Sequence, residues 1–383
     1  MKPFFVGVFA VLLMLGALHA SADGQELHVV ALPEEYAQML KGLPDALLQS
    51  LPDEVFSTDP ESAARAWQTL ASPRGLLTLM ADMLAEHWQD DLRLLLTLIG
   101  VLLLRAVWNA LASGVKAAGL TGGVQLLGRL VLFGIIIKKA MELLTGVVTF
   151  YADLNQLTTA FLPLMGAMYA MGGNVGAAVV NHSTLMMSMS LVEWIGGQSV
   201  VPLFSVCLAF TLLGVFEGSV AGRMQILTGK FKKWYTTGLS LLMLLLSGTL
   251  AAQTVLTARA DSLGFRTVRF AVSSGIPMVG GGVADMLRTA ASGLGYLRGV
   301  VGVGGIMLVL WLLLPEIISL WLIRLVFGIA GDMAGWMGCG EEGRLLGEVS
   351  SLFGYLLAVV SVSTVTFFFA LVLLIKCGAA YAV

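Results

Sequence analysis

Residues 300–329 read VVGVGGIMLVLWLLLPEIISLWLIRLVFGI, thirty residues with only two ionisable side chains, Glu316 and Arg324. About 20 apolar helical residues cover the ~30 Å hydrocarbon core of a bilayer. The whole chain is 57% hydrophobic and 12% charged, with a mean hydropathy of +0.88, whereas soluble domains contain roughly 25% charged residues. Only helices and closed barrels satisfy their backbone groups in lipid, and no strand alternation is present. The sequence therefore predicts an all-α, polytopic integral membrane bundle.

Further apolar stretches of membrane length follow a polar N-terminal part. We expect spans at Leu92–Leu111, Leu120–Leu144, Val201–Val220, Trp234–Leu256 and Val349–Ile375. Two segments rich in Pro and Gly, Phe161–Val180 and Gly275–Leu297, either cross the membrane or re-enter it. With them, the total is roughly seven to nine spans.

The N-terminal part divides into a leader and an acidic head. Residues 1–22 carry Lys2, an apolar run and a small-x-small cleavage site, Ala20-Ser21-Ala22, which is typical of a signal peptide. Residues 23–91 contain 13 Asp+Glu against Lys41, Arg65 and Arg74. We expect this head to be helical and extracytoplasmic, with Ser72 as an N-cap. Whether the leader is cleaved stays open.

Paired prolines suggest an internal duplication. Pro163 and Pro277 lie 114 residues apart, Pro202 and Pro315 lie 113 apart, and LPLMGAMYA at 162–170 echoes IPMVGGGVA at 276–284. A Pro followed by Gly-rich sequence in an apolar stretch is typical of the broken helices of transporters. The expected organisation is a first transmembrane helix and loop at 92–119, repeat units at 120–233 and 234–347, and a final helix and tail at 348–383.

Basic residues between the spans give an orientation. Four lie in one predicted loop: Arg223, Lys230, Lys232 and Lys233. The positive-inside rule places this loop in the cytoplasm, where it is a candidate docking site. The loop predicted at Gly331–Gly347 is acidic, which favours the opposite side and an inverted repeat. The Lys138-Lys139 pair fits this parity poorly, so the topology stays open.

Ionisable groups within spans are the candidate transport-path residues, because each is costly to bury in lipid. They are Glu193, Glu217, Asp285, Glu316 and Arg324, together with the predicted breaks at Pro163, Pro277 and Pro315. Glu316 follows a proline, and Arg324 could pair with an acid on another helix. The alternative interpretation is that these residues serve only helix packing.

No motif predicts an enzyme, a cofactor or a nucleic-acid partner. Gly280–Gly282 lacks the Gly-Lys-Ser/Thr of a Walker loop, and no His-Glu-x-x-His motif is present. Cys207, Cys339 and Cys377 have no Cys-x-x-Cys spacing, and His182 is isolated, so we expect no metal site.

Residues 269–289 read RFAVSSGIPMVGGGVADMLRT. This stretch, followed by an apolar run and a helix containing Pro315, resembles the stage III sporulation protein AE family of endospore-forming bacteria. The order of signal peptide, short head and polytopic body also agrees, although Ile276-Pro277-Met278 is less valine-rich than expected.

The resemblance implies a multi-pass protein of the mother-cell membrane around the forespore. It would belong to a secretion-like channel complex, with other membrane proteins and an ATPase as partners. The family has no established catalytic residues. An autonomous secondary transporter and a structural scaffold stay open as alternatives, and the sequence gives neither the substrate nor the oligomeric state.

Overall fold

A computed structural model describes residues 41–52, 55, 66, 69–70, 72–114, 118–171, 187, 190–191, 194–214, 226–241, 244, 248 and 280–379. Its described elements are all helical. We number them α1 (Asp45–Ser50), α2 (Pro73–Gly114), α3 (Ala118–Met171), α4 (Val200–Leu213), α5 (226–241), α6 (Gly280–Trp336) and α7 (Gly340–Ala379). A π-helical turn, Trp194–Ser199, precedes α4. The all-helical membrane architecture predicted from the sequence is confirmed.

Helix α2 begins at the cap expected from the sequence. The Ser72 hydroxyl accepts a hydrogen bond from the Gly75 N–H at 3.1 Å, and Pro73 occupies the first helical position, where its missing N–H costs nothing. The helix then continues to Gly114. It crosses residue 91, the predicted limit of the acidic head, without interruption, so the head and the first span share one helix.

Two of the expected proline breaks are absent. The backbone of α3 is helical through Pro163 and ends at Met171, and α6 is helical through Pro315. A helix can continue past a proline in a membrane protein when neighbouring helices compensate for the lost N–H. Pro202 lies in the first turn of α4, where a proline is tolerated. Pro277 lies outside the described residues.

The predicted loop at Gly331–Gly347 is a helical hairpin instead. Only residues 337–339 separate α6 from α7. Gly338 has a φ of +77°, and the N–H groups of Gly338 and Cys339 bond to the carbonyls of Gly335 and Ala334, at 3.3 and 2.9 Å. This is a Schellman termination, which needs a left-handed residue that glycine supplies without strain.

The helices pack into one bundle around a continuous apolar core. The closest association is between α6 and α7, and both contact α3. Three described helices are long and apolar enough to cross a membrane: Met80–Leu111, Met307–Trp336 and Gly340–Thr364. At about 1.5 Å per residue, α3 and α6 are about 80 Å long, far more than one bilayer, so part of each must lie outside the hydrocarbon.

The predicted basic loop is also partly helical. Residues 226–241 form α5, which includes Lys230, Lys232 and Lys233, whereas Arg223 lies outside the described residues. The signal peptide and most of the acidic head cannot be compared for the same reason.

Candidate functional site

Glu316 of α6 enters the bundle against the backbone of α3. Its carboxylate oxygens lie 3.4 and 3.5 Å from the point where a β-carbon on Gly146 would stand. The absence of a side chain at Gly146 thus leaves room for the carboxylate. Oε1 is buried and has no hydrogen-bond partner among the described residues. A buried carboxylate oxygen without a hydrogen-bond partner destabilises the fold, so a purely structural role for Glu316 would lower stability.

A tyrosine hydroxyl on another helix lies within electrostatic range of this carboxylate. Tyr151 of α3 is buried, and its hydroxyl is within electrostatic range of Glu316 and Tyr235. Ser363 of α7 is buried beside it. Four helices therefore contribute to one polar cluster inside an otherwise apolar core.

The cluster continues through a second pair of tyrosines. The rings of Tyr235 and Tyr355 meet edge to face, with centroids 6.1 Å apart. The Tyr235 hydroxyl lies 3.0 Å from the Ser199 hydroxyl, at the end of the π-helical turn. Single π-helical turns occur often at functional sites. The Tyr355 hydroxyl is buried without a hydrogen-bond partner in the described part of the chain.

Arg324 lies about two turns along α6 from Glu316. Its side chain packs against α7 and not against an acidic residue. Its Nε and Cζ are 2.9 and 3.0 Å from the β-carbon position of Gly354, so the side chain crosses α7 where that helix has no side chain. The Ser350 hydroxyl donates a 2.8 Å hydrogen bond to the Arg324 carbonyl. The expected pairing of Arg324 with a carboxylate is not found within the described residues.

The structure tests only part of the predicted set of site residues. It places Glu316 and Arg324 on one helix, with Pro315 directly before Glu316. Asp285 lies in α6 and Pro163 in α3, but neither side chain is described. Glu193, Glu217 and Pro277 lie outside the described residues. Whether the remaining candidates join the Glu316 cluster stays a prediction.

An ion-pair network that the sequence did not predict joins α2 and α3 to α7. Arg105 of α2 pairs with Glu342 of α7, and both side chains are buried. Arg129 of α3 pairs with Glu341, and its Nε lies 3.6 Å from the Glu342 carboxylate. Two arginines and two glutamates balance in charge across the network, although only Arg105 and Glu342 are fully buried and Glu341 is exposed.

The network fixes which levels of α2, α3 and α7 coincide. Near it, the Cys339 thiol lies 4.0 Å from the Leu102 carbonyl of α2. Arg105 and Arg129 lie inside the predicted spans Leu92–Leu111 and Leu120–Leu144. An available signal was charge balance: two arginines inside spans require two acids, and Glu341-Glu342 was an acidic pair between apolar segments.

Glycines allow α6 and α7 to approach closely beside this network. A β-carbon on Gly343 would lie 2.8 Å from the Gly331 carbonyl oxygen, and one on Gly331 would lie 3.0 Å from the Gly343 carbonyl oxygen. We call Gly331, Gly335, Gly343 and Gly347 the glycine seam. Each helix carries one Gly-x-x-x-Gly pair, the spacing that lets membrane helices pack backbone to backbone.

The basic segment contacts α7 rather than standing apart from the bundle. Lys232 is 3.5 Å from the Ser351 hydroxyl and within electrostatic range of Glu348. Glu348 also pairs with Arg344, one helical turn earlier, at 3.8 Å. Lys230 and Lys233 are exposed. One side of α5 thus faces the bundle, and the exposed lysines are the ones available for docking.

The chemistry of these groups is that of a polar membrane interior. They offer carboxylates, guanidinium groups and hydroxyls, and no group of three His, Cys, Asp or Glu side chains among the described residues could hold a metal ion. Such groups can bind water or ions and can carry protons. Ionisable residues are rare in membrane helices, and where they occur they often mark a pathway for ions, protons or substrates.

Two comparisons with known proteins give the same family. A family model for stage III sporulation protein AE matches residues 68–378. The chain is 19% identical over 285 residues to the Stage III sporulation protein AE of Bacillus subtilis (strain 168), covering 73% of this chain and 71% of that protein. No solved structure matches this chain.

Proposed function

Because this chain belongs to the stage III sporulation protein AE family, we propose that it is a multi-pass membrane component of the channel complex between mother cell and forespore. The observation that carries the proposal is the extent of the family match, which includes the three helices of membrane length in the described part of the chain. A sporulation protein built from such helices works in a membrane, and the mother-cell membrane around the forespore is the one that the resemblance implies.

Within that complex we assign the chain a permease-like and non-enzymatic part. Polar groups in the core support this assignment: Glu316 with its hydroxyl neighbours, and the ion pairs between the hairpins. A scaffold that only held partners together would gain stability from apolar side chains at these positions. The acidic head would face the space between the membranes.

Partner binding would use the exposed side of α5. Lys230 and Lys233 project from the bundle while Lys232 is held against α7. With Arg223, they would present a cationic surface to the ATPase of the complex on the cytoplasmic side. We expect Lys230→Glu with Lys233→Glu to weaken co-purification of that ATPase without changing the amount of this chain in the membrane.

The proposed role is tested by deleting the gene in its native host and counting heat-resistant spores. Loss of spores, with engulfed forespores that fail to develop, is the expected result. Normal sporulation would overturn the proposal, and so would a source organism that forms no endospores or a gene neighbourhood without other channel components.

Complementation then separates the permease-like part from the alternatives. Asp285→Asn, Glu316→Gln and Arg324→Gln are expressed in the deletion strain, with membrane levels measured by immunoblot. A transport path predicts few spores at normal protein levels, whereas a scaffold predicts full recovery. An autonomous transporter would retain its activity in strains that lack the other channel proteins.

A further inference from the structure

Four buried oxygen atoms on α3, α6 and α7 make no hydrogen bond with the described part of the chain. They belong to one carboxylate and three hydroxyl groups: Glu316 Oε1, Tyr151 Oη, Ser363 Oγ and Tyr355 Oη. Tyr151 is 1% exposed and Ser363 is 0% exposed. Most buried polar atoms in proteins are hydrogen-bonded, and the exceptions often mark a site for an ion or a water molecule.

The Tyr151 hydroxyl is the common neighbour of these atoms. Ser363 lies beside it, and both Glu316 and Tyr355 are within electrostatic range of it. Tyr235 borders the group from α5, where its ring meets that of Tyr355 edge to face. The Tyr235 hydroxyl has a partner of its own, a serine hydroxyl at 3.0 Å. One carboxylate and three other hydroxyls therefore share one part of the bundle interior.

Small residues leave space beside the carboxylate. The two carboxylate oxygens of Glu316 lie 3.4 and 3.5 Å from the position of a β-carbon on Gly146, so a larger residue there would press on them. Tyr151 lies about 7.5 Å further along the same helix. Gly146 and Ser363 are both small, which suits an occupant of atomic size and not a larger solute.

The charge of Glu316 is not balanced by a cation in the described part of the chain. The ion pairs between described residues do not include it. Arg324 is the nearest basic residue on α6, but it lies about 12 Å further along the helix and packs over Gly354 of α7. Lys232 approaches α7 from α5 and is within electrostatic range of Glu348 instead. A bound cation would supply the missing counter-charge.

The chemistry of these ligands favours a hard monovalent cation. Carboxylate and hydroxyl oxygens suit hard cations, whereas transition metals prefer imidazole and thiolate. Among the described residues, no group of three His, Cys, Asp or Glu side chains could hold a metal ion. Glu316 brings a single negative charge, which a monovalent ion balances. Calcium sites usually combine several carboxylates and six to eight oxygens.

We propose that Glu316, Tyr151 and Ser363 bind one sodium ion inside the bundle, with the Tyr355 hydroxyl beside it. The ion would connect α3, α6 and α7, so its binding should stabilise their packing. This inference deepens the permease-like part proposed above and rests on it for its biological meaning. Its test measures ion binding by the purified chain and needs no sporulating cell.

The test uses the full-length chain in detergent. Sodium chloride replaces choline chloride at constant total chloride, and the melting temperature is followed by differential scanning fluorimetry. A ligand that binds only the folded state stabilises it in proportion to the logarithm of its concentration above the dissociation constant. We expect the melting temperature to rise in this way as sodium replaces choline. Binding of radioactive sodium should saturate at one ion for each chain.

Three variants connect the response to the site. Glu316→Gln keeps the shape but removes the charge, so it should abolish the sodium response. Ser363→Ala removes one ligand and should weaken sodium binding about ten-fold or more. Thr364→Val is the matched control, because the hydroxyl of Thr364 is also buried on α7 but donates to the carbonyl of Val360 at 2.8 Å. It should respond to sodium as the parent chain does.

Several results would overturn the proposal. One is a melting temperature that does not change when sodium replaces choline, as would follow if the carboxyl group stayed protonated. Another is an equal rise in the parent chain and in Glu316→Gln, which would show a general effect of salt. Gel filtration checks that each variant folds. If Glu316→Gln does not fold, radioactive sodium binding to Tyr151→Phe and Ser363→Ala decides, and unchanged affinity in both would refute the site.

The sodium site and the proposed function fail in different experiments. A chain that supports sporulation but does not bind sodium would overturn the site and leave the function intact. A chain that binds sodium through Glu316, but whose deletion leaves sporulation normal, would overturn the function and keep the site.

Discussion

Arg105 of α2 is ion-paired with Glu342 of α7, and only 6% and 3% of their side-chain areas are exposed. Removing one partner of a buried pair leaves the other charge uncompensated, at a cost of about 3–5 kcal/mol. Glu342 also lies near Arg129. We therefore expect Glu342→Gln to lower the melting temperature of the detergent-purified chain strongly, as measured by differential scanning fluorimetry.

Glu341 provides the control for that substitution. It is the neighbouring residue and pairs with Arg129, but 70% of its side chain is exposed. Exposed ion pairs contribute about 0–1 kcal/mol, so Glu341→Gln should change the melting temperature little. Similar losses for the two variants would contradict a role for burial in the strength of the network.

The glycine seam gives a second prediction. A β-carbon on Gly343 would lie 2.8 Å from the backbone oxygen of Gly331, which cannot move away as a side chain can. Gly343→Ala should therefore separate the two helices and destabilise the chain by about 1–3 kcal/mol, the usual cost of overpacking. Thermal unfolding in detergent measures the change.

Gly347 belongs to the same helix and the same seam, yet a β-carbon there would meet nothing within 4 Å. Gly347→Ala should be neutral or stabilising by up to about 1 kcal/mol, since alanine favours a helix over glycine. A loss at Gly347 as large as at Gly343 would mean that glycine is needed for something other than close packing.

Glu316 gives a prediction in which stability and function change in opposite directions. Oε1 is buried without a partner among the described residues, and an ionised side chain within a membrane costs about 2.5–3.5 kcal/mol on insertion scales. Glu316→Gln keeps the shape and removes the charge. We expect it to raise the melting temperature while lowering the spore count in complementation.

Glu348 is the matched control on α7. It is half-buried, but its cationic neighbours Arg344 and Lys232 offset part of the desolvation, so Glu348→Gln should raise the melting temperature less than Glu316→Gln does. If Glu316→Gln instead lowers the melting temperature, its carboxylate must make favourable contacts. The prediction that the Glu316 carboxylate destabilises the fold would then be wrong.

The sequence predicted the parts of the fold that depend on local composition. Helices, membrane-length spans and the Ser72 cap each follow from a few neighbouring residues. The proline breaks were predicted from local sequence as well, but α6 continues through Pro315. Whether a proline breaks a helix depends on tertiary contacts, which local sequence does not contain.

The site was harder to predict because its members are distant in the chain. Glu316 and Arg324 could be named individually as costly charges in a span, but their neighbours, Gly146 and Gly354, are glycines with no chemical signature. The pairing of Arg105 with Glu342 depends on how two hairpins align. The spacing of residues within one helix does not show how helices align. The two Gly-x-x-x-Gly pairs of the seam indicate only that α6 and α7 pack closely.

The last prediction concerns pH and the contact between α1 and α3. Gln156 donates to the carbonyl of Leu43 at 3.3 Å, and burial, with Asp45 as a lesser cause, raises the pKa of Asp153 beside this contact. The folded state therefore binds a proton more tightly than the unfolded state does. The contribution of Asp153 to stability is therefore greatest below about pH 4, the ordinary range of an aspartate, and is lost as pH rises through the raised pKa.

Asp153→Asn should remove that dependence. The variant should melt above the parent chain at pH 7 and level with it at pH 3, in parallel fluorimetry scans. Asp90→Asn serves as the control, because Asp90 and its partner Arg93 are both exposed. It should melt at nearly the same temperature as the parent chain at both pH values. A larger stabilisation by Asp153→Asn at pH 3 than at pH 7 would reverse the sign of the linkage and refute the assignment.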